Sequence, residues 1–201
     1  MREKILAIKL TETLLNYDPA ELQKWKSGDL GILPAAETHR LSKYRIQCHV
    51  GNHFGEVCVM KELEKEGCRW YYENYKIFRE PSKNARAREG YIAAREHFGI
   101  EAIREVQRLG GQYDPEPKEP DLFAINEGLN LARFIEVKRD DPIDPGQLLA
   151  LAIIREVLKC SVEIIRLIPR GSPLTPKSYE WRFEQKYKQA GKQPWLDFVK
   201  S

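Results

Sequence analysis

Three side chains in the middle of the chain have the types and the spacing to do chemistry together. In "PDLFAINEGLNLARFIEVK", residues 120–138, Asp121 opens one short apolar run, and Glu136 and Lys138 close a second. Both runs are rich in Phe, Ile and Val and read as strands, with Glu127-Gly128-Leu129-Asn130 as the turn between them. A two-residue type II′ turn with Gly128 at its first central position makes the paired residue numbers sum to a constant. Phe123 then faces Phe134, and Asp121 faces Glu136. Side chains alternate along a strand, so Phe134, Glu136 and Lys138 share one face while Ile135 and Val137 take the other. Opposed side chains lie about 5 Å apart, where like charges repel. A divalent cation between the two carboxylates turns that repulsion into coordination, and oxygen-only ligands select a hard ion, Mg²⁺ or Mn²⁺. Lys138, close but not a ligand, can then orient or help deprotonate a water and offset charge in a phosphoryl transition state. The plain alternative is a solvated hairpin end, and a slip of one residue would send Asp121 to the wrong face.

The elements that must position such a site can be read on either side of it. "GEVCVMKELEKEG" (55–67) predicts a short helix with Val59, Met60 and Leu63 on one stripe and Gly67 as its stop. Glu56 falls on the same stripe, and an acid there also suits the first turn of a helix, so both roles are open. "CRWYYENYKIF" (68–78) predicts an aromatic strand. Residues 84–111 predict one or two helices ended by Gly110 and Gly111, and "QYDPEPKEP" a proline-rich linker. After the hairpin, Asp144 can cap a helix with Pro145 at its first position. "GQLLALAIIREVLKC" is apolar almost all round, which predicts that this helix is buried. Gln147, at the third helical position, can close a capping box. "SVEIIRLI" (161–168) predicts a further strand. The order from 55 to 168 is helix, strand, helical insertion, strand, strand, helix, strand. That order predicts an α/β fold of mixed α+β type, with helices packed on a mixed sheet.

The flanks read as additions. "MREKILAIKLTETLLNY" places Ile5, Ile8 and Leu15 to suit an amphipathic helix, and Asp18-Pro19 predicts the start of another. The expectation is a helical accessory region over 1–50 and a core over 51–170 with its helical insertion at 79–119. A basic extension follows over 171–201, in which Ser178 caps a last helix, "YEWRFEQKYKQAG". The N-terminal helices are a candidate dimer face or substrate clamp. A length of 201 residues suits one domain with additions, and a net charge of +3 does not by itself announce a nucleic-acid binder. No run approaches a membrane span, and the charges interleaved through the first residues are unlike a signal peptide. A cytoplasmic protein with reduced thiols is therefore expected, with no small organic cofactor. Cys48, Cys58, Cys68 and Cys160 form no CxxC pair. A zinc site from Cys48, His49, His53 and Cys58, or an iron–sulfur cluster on the four cysteines, is the remote reading.

Pro120-Asp121 followed by Glu136-Val137-Lys138 resembles the signature of the PD-(D/E)xK nuclease superfamily. The helix–strand order is similar to that superfamily's αβββαβ core, the restriction-endonuclease-like fold, once 79–119 is set aside as an insertion between the first two strands. "GEVCVMKELEKEG" resembles its first helix, whose acid often joins the metal site. Asp144-Pro145-Gly146-Gln147 sits where the virus-type replication-repair nuclease branch (VRR-NUC) often has a glutamine. The resemblance implies a Mg²⁺-dependent deoxyribonuclease of DNA replication, repair or recombination. It further implies that Asp121, Glu136, Glu56 and the backbone carbonyl of Val137 bind the metal, and that Lys138 acts on the attacking water. Glu56 and Gln147 become candidate catalytic residues.

A nuclease also needs a surface for phosphates. Lys83, Arg86 and Arg88 in the insertion, and Arg170, Lys177, Arg182 and Lys186 after the last strand, could hold a DNA backbone without reading its sequence. A solvated helix face explains any one of them equally well. Tyr179, Trp181 and Phe183 could stack on unpaired bases, though packing against the sheet is the plainer role. A second reading, from another class, is a nucleic-acid-binding or assembly subunit that keeps the fold with little or no catalysis.

Overall fold

The structure, a computed structural model, describes residues 6–29, 31, 33, 53–72, 74–83, 86–113 and 116–183. Strand β1 (Leu6–Tyr17) is followed by α1 (Pro19–Lys26), α2 (Phe54–Lys65) and β2 (Arg69–Tyr72). Helices α3 (Arg88–Phe98) and α4 (Ile100–Gly110) precede the hairpin of β3 (Leu122–Asn126) and β4 (Leu131–Lys138). Helix α5 (Pro145–Leu158), β5 (Ser161–Pro169) and β6 (Ser178–Phe183) complete the described chain. The six strands form one mixed sheet in the order β2-β3-β4-β5-β1-β6. β5 runs parallel to both β4 and β1, and the other neighbours are antiparallel. The parallel step from β4 to β5 needs a long crossover, which α5 supplies.

Both faces of the sheet are covered. Tyr71, Phe123, Phe134, Ile164, Leu10 and Trp181 pack beneath α3, α4 and α5. On the opposite face Tyr72, Leu122, Ile135, Val137, Leu167 and Tyr17 pack against α1 and α2. Central strands buried on both faces read as nearly continuous apolar runs. Charges that appear within them therefore stand out. No helix among the described residues is long and apolar enough to cross a membrane.

The sequence reading holds for α2, for the two helices of the insertion, for the buried α5 and for its Asp144 cap. It fails at both ends of the described chain. The N-terminal segment is a strand, not an amphipathic helix, and lies inside the sheet between β5 and β6. Its burial alternates, with Ile8, Leu10 and Glu12 inward and Ala7, Lys9, Thr11 and Thr13 exposed. That period of two outweighs the looser helical spacing of Ile8 and Leu15. The last helix predicted after Ser178 is likewise a strand as far as Phe183. Tyr179, Trp181 and Phe183 alternate toward the core, so they pack rather than present a stacking surface. Residues 184–191 of that predicted helix, with Lys186, lie outside the described residues. The described parts of 1–50 and 171–201 are thus built into the central sheet through β1 and β6.

Two smaller corrections concern the hairpin and its neighbour. The aromatic strand stops at Tyr72. Beyond it the chain is held by the Glu119 carboxylate, which accepts the N–H groups of Ile77 (2.9 Å) and Phe78 (3.1 Å). The hairpin loop has four residues, not two. Asn126 pairs with Leu131, Asn130 donates to the Glu127 carbonyl (3.3 Å), and the positive φ of 52° falls on Asn130 rather than on Gly128. Lengthening a loop by one residue on each strand leaves the pairing sum unchanged. Phe123 therefore still faces Phe134, as the shorter turn required.

Candidate active site

The hairpin and α2 bring the proposed residues to one end of the sheet. Asp121 immediately precedes β3, while Glu136 and Lys138 end β4. Because β4 lies between β3 and β5, these two charged side chains are buried, Glu136 at 0% and Lys138 at 6% exposure. Asp121 Oδ2 accepts the N–H of Val137 at 2.8 Å, so the aspartate continues the ladder with its side chain where backbone pairing stops. The N–H and C=O of one residue in an antiparallel pair face the same neighbour. The Val137 carbonyl is thus turned toward the Asp121 strand as well. Tyr75 donates its hydroxyl to the Pro120 carbonyl and holds the chain just before Asp121.

Charge is poorly tolerated at this place. Lys138 Nζ lies 2.8 Å from Glu136 Oε1, yet it is not aligned for a hydrogen bond, and among the described residues neither oxygen of Glu136 has a hydrogen-bond partner. Burial, and then the charge of Asp121, push the Glu136 carboxyl up to about 8. Burial, followed by the charge of Glu56, raises Asp121 to about 6, against the opposing pull of the Val137 N–H and Lys138. A buried acid with orphaned oxygens and a half-buried one beside it, which resist ionising together, are what an oxygen-liganded cation would relieve. Among the described residues no three His, Cys, Asp or Glu side chains converge as a metal cage. A hard cation held here would take Asp121, Glu136 and the Val137 carbonyl, with water completing its shell. That is the usual habit of Mg²⁺. The residues fit such an ion.

Glu56 occupies the first turn of α2, on the opposite side of the sheet from α5. It lies within electrostatic range of Asp121 but does not join the two acids. Its Oε1 lies 3.3 Å from His53 Nδ1, which also meets the Tyr72 hydroxyl. His53 precedes the helix in a left-handed conformation, φ 64°, and offers no cap to it. The chain spends this side chain on Glu56 and Tyr72 instead. Gly55 lets the helix start approach β4 closely, since a Cβ there would meet Val137 Cγ1 at 3.0 Å and Leu167 Cδ1 at 3.3 Å. Gln147 closes the capping box: its Oε1 accepts the Asp144 N–H, and Asp144 Oδ1 accepts the Gln147 N–H, both at 3.1 Å. Lys118 holds the other Asp144 oxygen at 2.6 Å.

The basic residues divide. Arg86 and Arg88 lie at the start of α3, whose Gly90 N–H donates to the Asn74 carbonyl (3.0 Å) beside Tyr75. Glu89 beside these arginines reaches Arg69 at the other end of β2 (3.2 Å) and Lys83 is exposed on the segment leading to them, while Tyr75 holds Pro120 at the acid end of the sheet. Arg170 follows β5 at that same end, its N–H on the Tyr17 carbonyl (2.9 Å). Lys177 is also there, joined to Glu12. Arg182 is not brought to the site, because its partner is Ala7, near the far end of β1. A cavity of about 470 Å³ opens at the far end of β4, among Phe98, Ala132, Arg133 and Cys160, away from both acids.

Of the remote zinc reading, Cys48 and His49 lie outside the described residues. Cys58, Cys68 and Cys160 are free thiols, and burial pushes Cys58 and Cys160 up to about 12, far from thiolate character. What the sequence reading missed is a second buried pair, Glu12 with Arg166. The period-two pattern of β1 was the signal for it, because Glu12 continues the inward series of Ile8 and Leu10. No protein-family model matches the chain, and no curated protein matches it.

Proposed function

We propose that the protein is a metal-dependent deoxyribonuclease of the PD-(D/E)xK type, similar to the virus-type replication-repair branch, acting on DNA inside the cell. The observation that carries this reading is Glu136, a wholly buried carboxylate whose oxygens lack hydrogen-bond partners among the described residues, beside a half-buried second acid and a lysine. The α2-β2-β3-β4-α5-β5 order supports it, with α3 and α4 as the insertion. Mg²⁺ or Mn²⁺, when bound, would polarise a phosphoryl oxygen and acidify the attacking water. Asp121, Glu136 and the Val137 carbonyl would hold the ion, with Glu56 approaching from α2. Lys138 would hold or move the proton of the attacking water at Nζ and offset charge on the phosphoryl group. Arg86, Arg88, Arg170 and Lys177, with Lys83, would track the DNA backbone. Gln147 would steady the start of α5 beside the site.

The binding-subunit reading has one observation in its favour. Lys138 lies 2.8 Å from Glu136 and, among the described residues, no third acid converges on the pair. A single panel separates the two: linear, nicked, flapped and branched DNA with Mg²⁺, Mn²⁺ or EDTA, beside Glu136→Ala and Lys138→Ala. Cleavage that needs metal and is lost in both variants is expected. Tight DNA binding without cleavage, retained in both variants, would overturn the nuclease reading for these substrates.

A further inference from the structure

Arg166 on β5 stands directly opposite Lys138 on β4. Opposed side chains are about 5 Å apart, and two cations there would repel. Both are nevertheless buried, Arg166 at 5% exposure. Glu12 resolves the conflict, since its Oε1 accepts Arg166 Nε at 3.1 Å and Nη2 at 2.7 Å, leaving Lys138 to Glu136. Nη1 then spends its two hydrogens on main-chain carbonyls, those of Arg139 (3.1 Å) and Asp141 (2.7 Å). These carbonyls belong to the turn that leaves Lys138 and leads to the Asp144 cap of α5. Glu12 works in the other direction. Its Oε2 accepts the Lys177 N–H at 3.0 Å, its own N–H donates to the Lys177 carbonyl at 2.9 Å, and Oε1 also accepts the Tyr179 hydroxyl at 2.8 Å.

We propose that Arg166, acting with Glu12, is a positioning residue for the Lys138 end of the site, fixing the turn that leaves Lys138 and mounting Lys177 beside it. The role rests on the nuclease reading. A buried ion pair is a weak stabiliser, because well-packed apolar residues of similar volume often serve as well or better. An apolar pair could not grip two carbonyls of an exposed turn. Strand spacing puts Lys177 three strands from Glu136, roughly 14 Å along the same end of the sheet. The clamp thus sets both the exit of the lysine strand and the seat of a basic residue on the path of a DNA backbone.

Two changes in the full chain test this. Arg166→Lys keeps the charge opposite Glu12 but loses the planar fork. The double variant Glu12→Leu/Arg166→Met replaces the clamp with apolar volume and should keep the melting temperature. In both, amide exchange over residues 139–144 should accelerate by roughly 10-fold, since the turn loses its anchor. In both, kcat for Mg²⁺-dependent DNA cleavage should fall by about 10- to 100-fold, with half-saturating Mg²⁺ unchanged. A double variant that is as stable as the native protein, exchanges at the native rate over 139–144 and keeps its kcat would overturn the proposal. A native protein that cleaves no DNA would sink the nuclease reading instead. Exchange over 139–144 would still decide whether the clamp holds the turn.

Discussion

Glu12 and Glu136 occupy the same rung of the sheet, one on β1 and one on β4, with Ile164 of β5 between them. Each is buried, and each has a cation one rung along, Arg166 or Lys138. Their surroundings differ in two respects, the number of hydrogen bonds and the second acid, Asp121, that stands beside Glu136 alone. Glu12 accepts from Arg166, Tyr179 and the Lys177 amide. Burial alone would raise its carboxyl, but those bonds and the guanidinium charge hold it below the usual range. Glu136 has the Lys138 ion pair alone and a second acid beside it, and its carboxyl rises. On the proposed reading it is burial without satisfaction, not burial itself, that marks the functional carboxylate of the two. One pair is finished by the protein. The other leaves its oxygens for something else to complete.

The sharpest way to break this comparison is to neutralise each acid in turn. Glu136→Gln should lower Mg²⁺-dependent cleavage by roughly 10²- to 10³-fold. Near pH 5, where Glu136 is still protonated, its stability in EDTA should change by less than about 1 kcal/mol, because Gln then replaces a neutral carboxyl. Glu12→Gln should do the reverse to stability. It leaves Arg166 without its counter-charge, at a cost of about 3 kcal/mol in urea unfolding. Equal losses of stability in the two variants would mean that both pairs are merely structural.

The pH dependence should also run in opposite directions. Glu136 rises from its ordinary value of 4.5 to about 8 in the fold, and Asp121 from 3.8 to about 6. Between those limits the native state holds more protons than the unfolded chain, so these acids erode stability as pH rises. In EDTA the erosion should run from the ordinary carboxylate range up to about pH 8, and saturating Mg²⁺ should reverse it. Glu12, whose carboxyl is lowered, contributes stability that is present above 4.5 and lost as pH falls through its depressed value. Urea titrations across pH, in the native protein, Glu136→Gln and Glu12→Gln, separate the two slopes. A native profile in EDTA as flat as that of Glu136→Gln would show that the acid pair is not under charge stress.

How much of this could be read from the sequence follows from the range of the interactions involved. The Phe123–Phe134 register was legible because it depends on a short loop and on alternation, both local. The type of turn was not. The side chain of Asn126 accepts the Leu129 N–H (3.0 Å) and donates to the Glu66 carbonyl (2.9 Å), a contact with a distant loop. The cap at Asp144 was legible for the same local reason as the register. β1 was misread because Ile8 and Leu15 satisfy a helical spacing while Ile8, Leu10 and Glu12 satisfy a strand. A carboxylate on the inward side hid the second pattern. Arg166 could not be assigned at all until β1 was known to lie beside β5, since its partner is 154 positions away in the chain.

A smaller effect should come from the contact behind the acids. His53→Ala removes the imidazole from Glu56 and Tyr72. Partners of a metal-binding carboxylate typically change affinity by about 10-fold when lost. Mn²⁺ titration of the purified protein should show a weakening of that size, against near-complete loss in Glu136→Gln. An unchanged affinity would place Glu56 outside the metal site and leave it as an acid of the α2 first turn.

The smallest effect should belong to the capping box, and it completes the contrast between groups that hold and groups that act. Asp144 is a satisfied acid like Glu12: Lys118 and the Gln147 N–H bond it, and its carboxyl is lowered although burial opposes that. Removing an N-cap of this kind costs about 1 kcal/mol. Asp144→Asn keeps an acceptor for the Gln147 N–H and gives up only the Lys118 charge, an exposed contact worth well under 1 kcal/mol. Asp144→Ala should therefore lose about 1 kcal/mol in urea unfolding, while Asp144→Asn stays close to the native protein. If Asp144→Asn instead lost as much as Asp144→Ala, the charge rather than the cap would be holding the start of α5. Asp144 would then belong with Glu136, among the acids whose charge matters more than their hydrogen bonds.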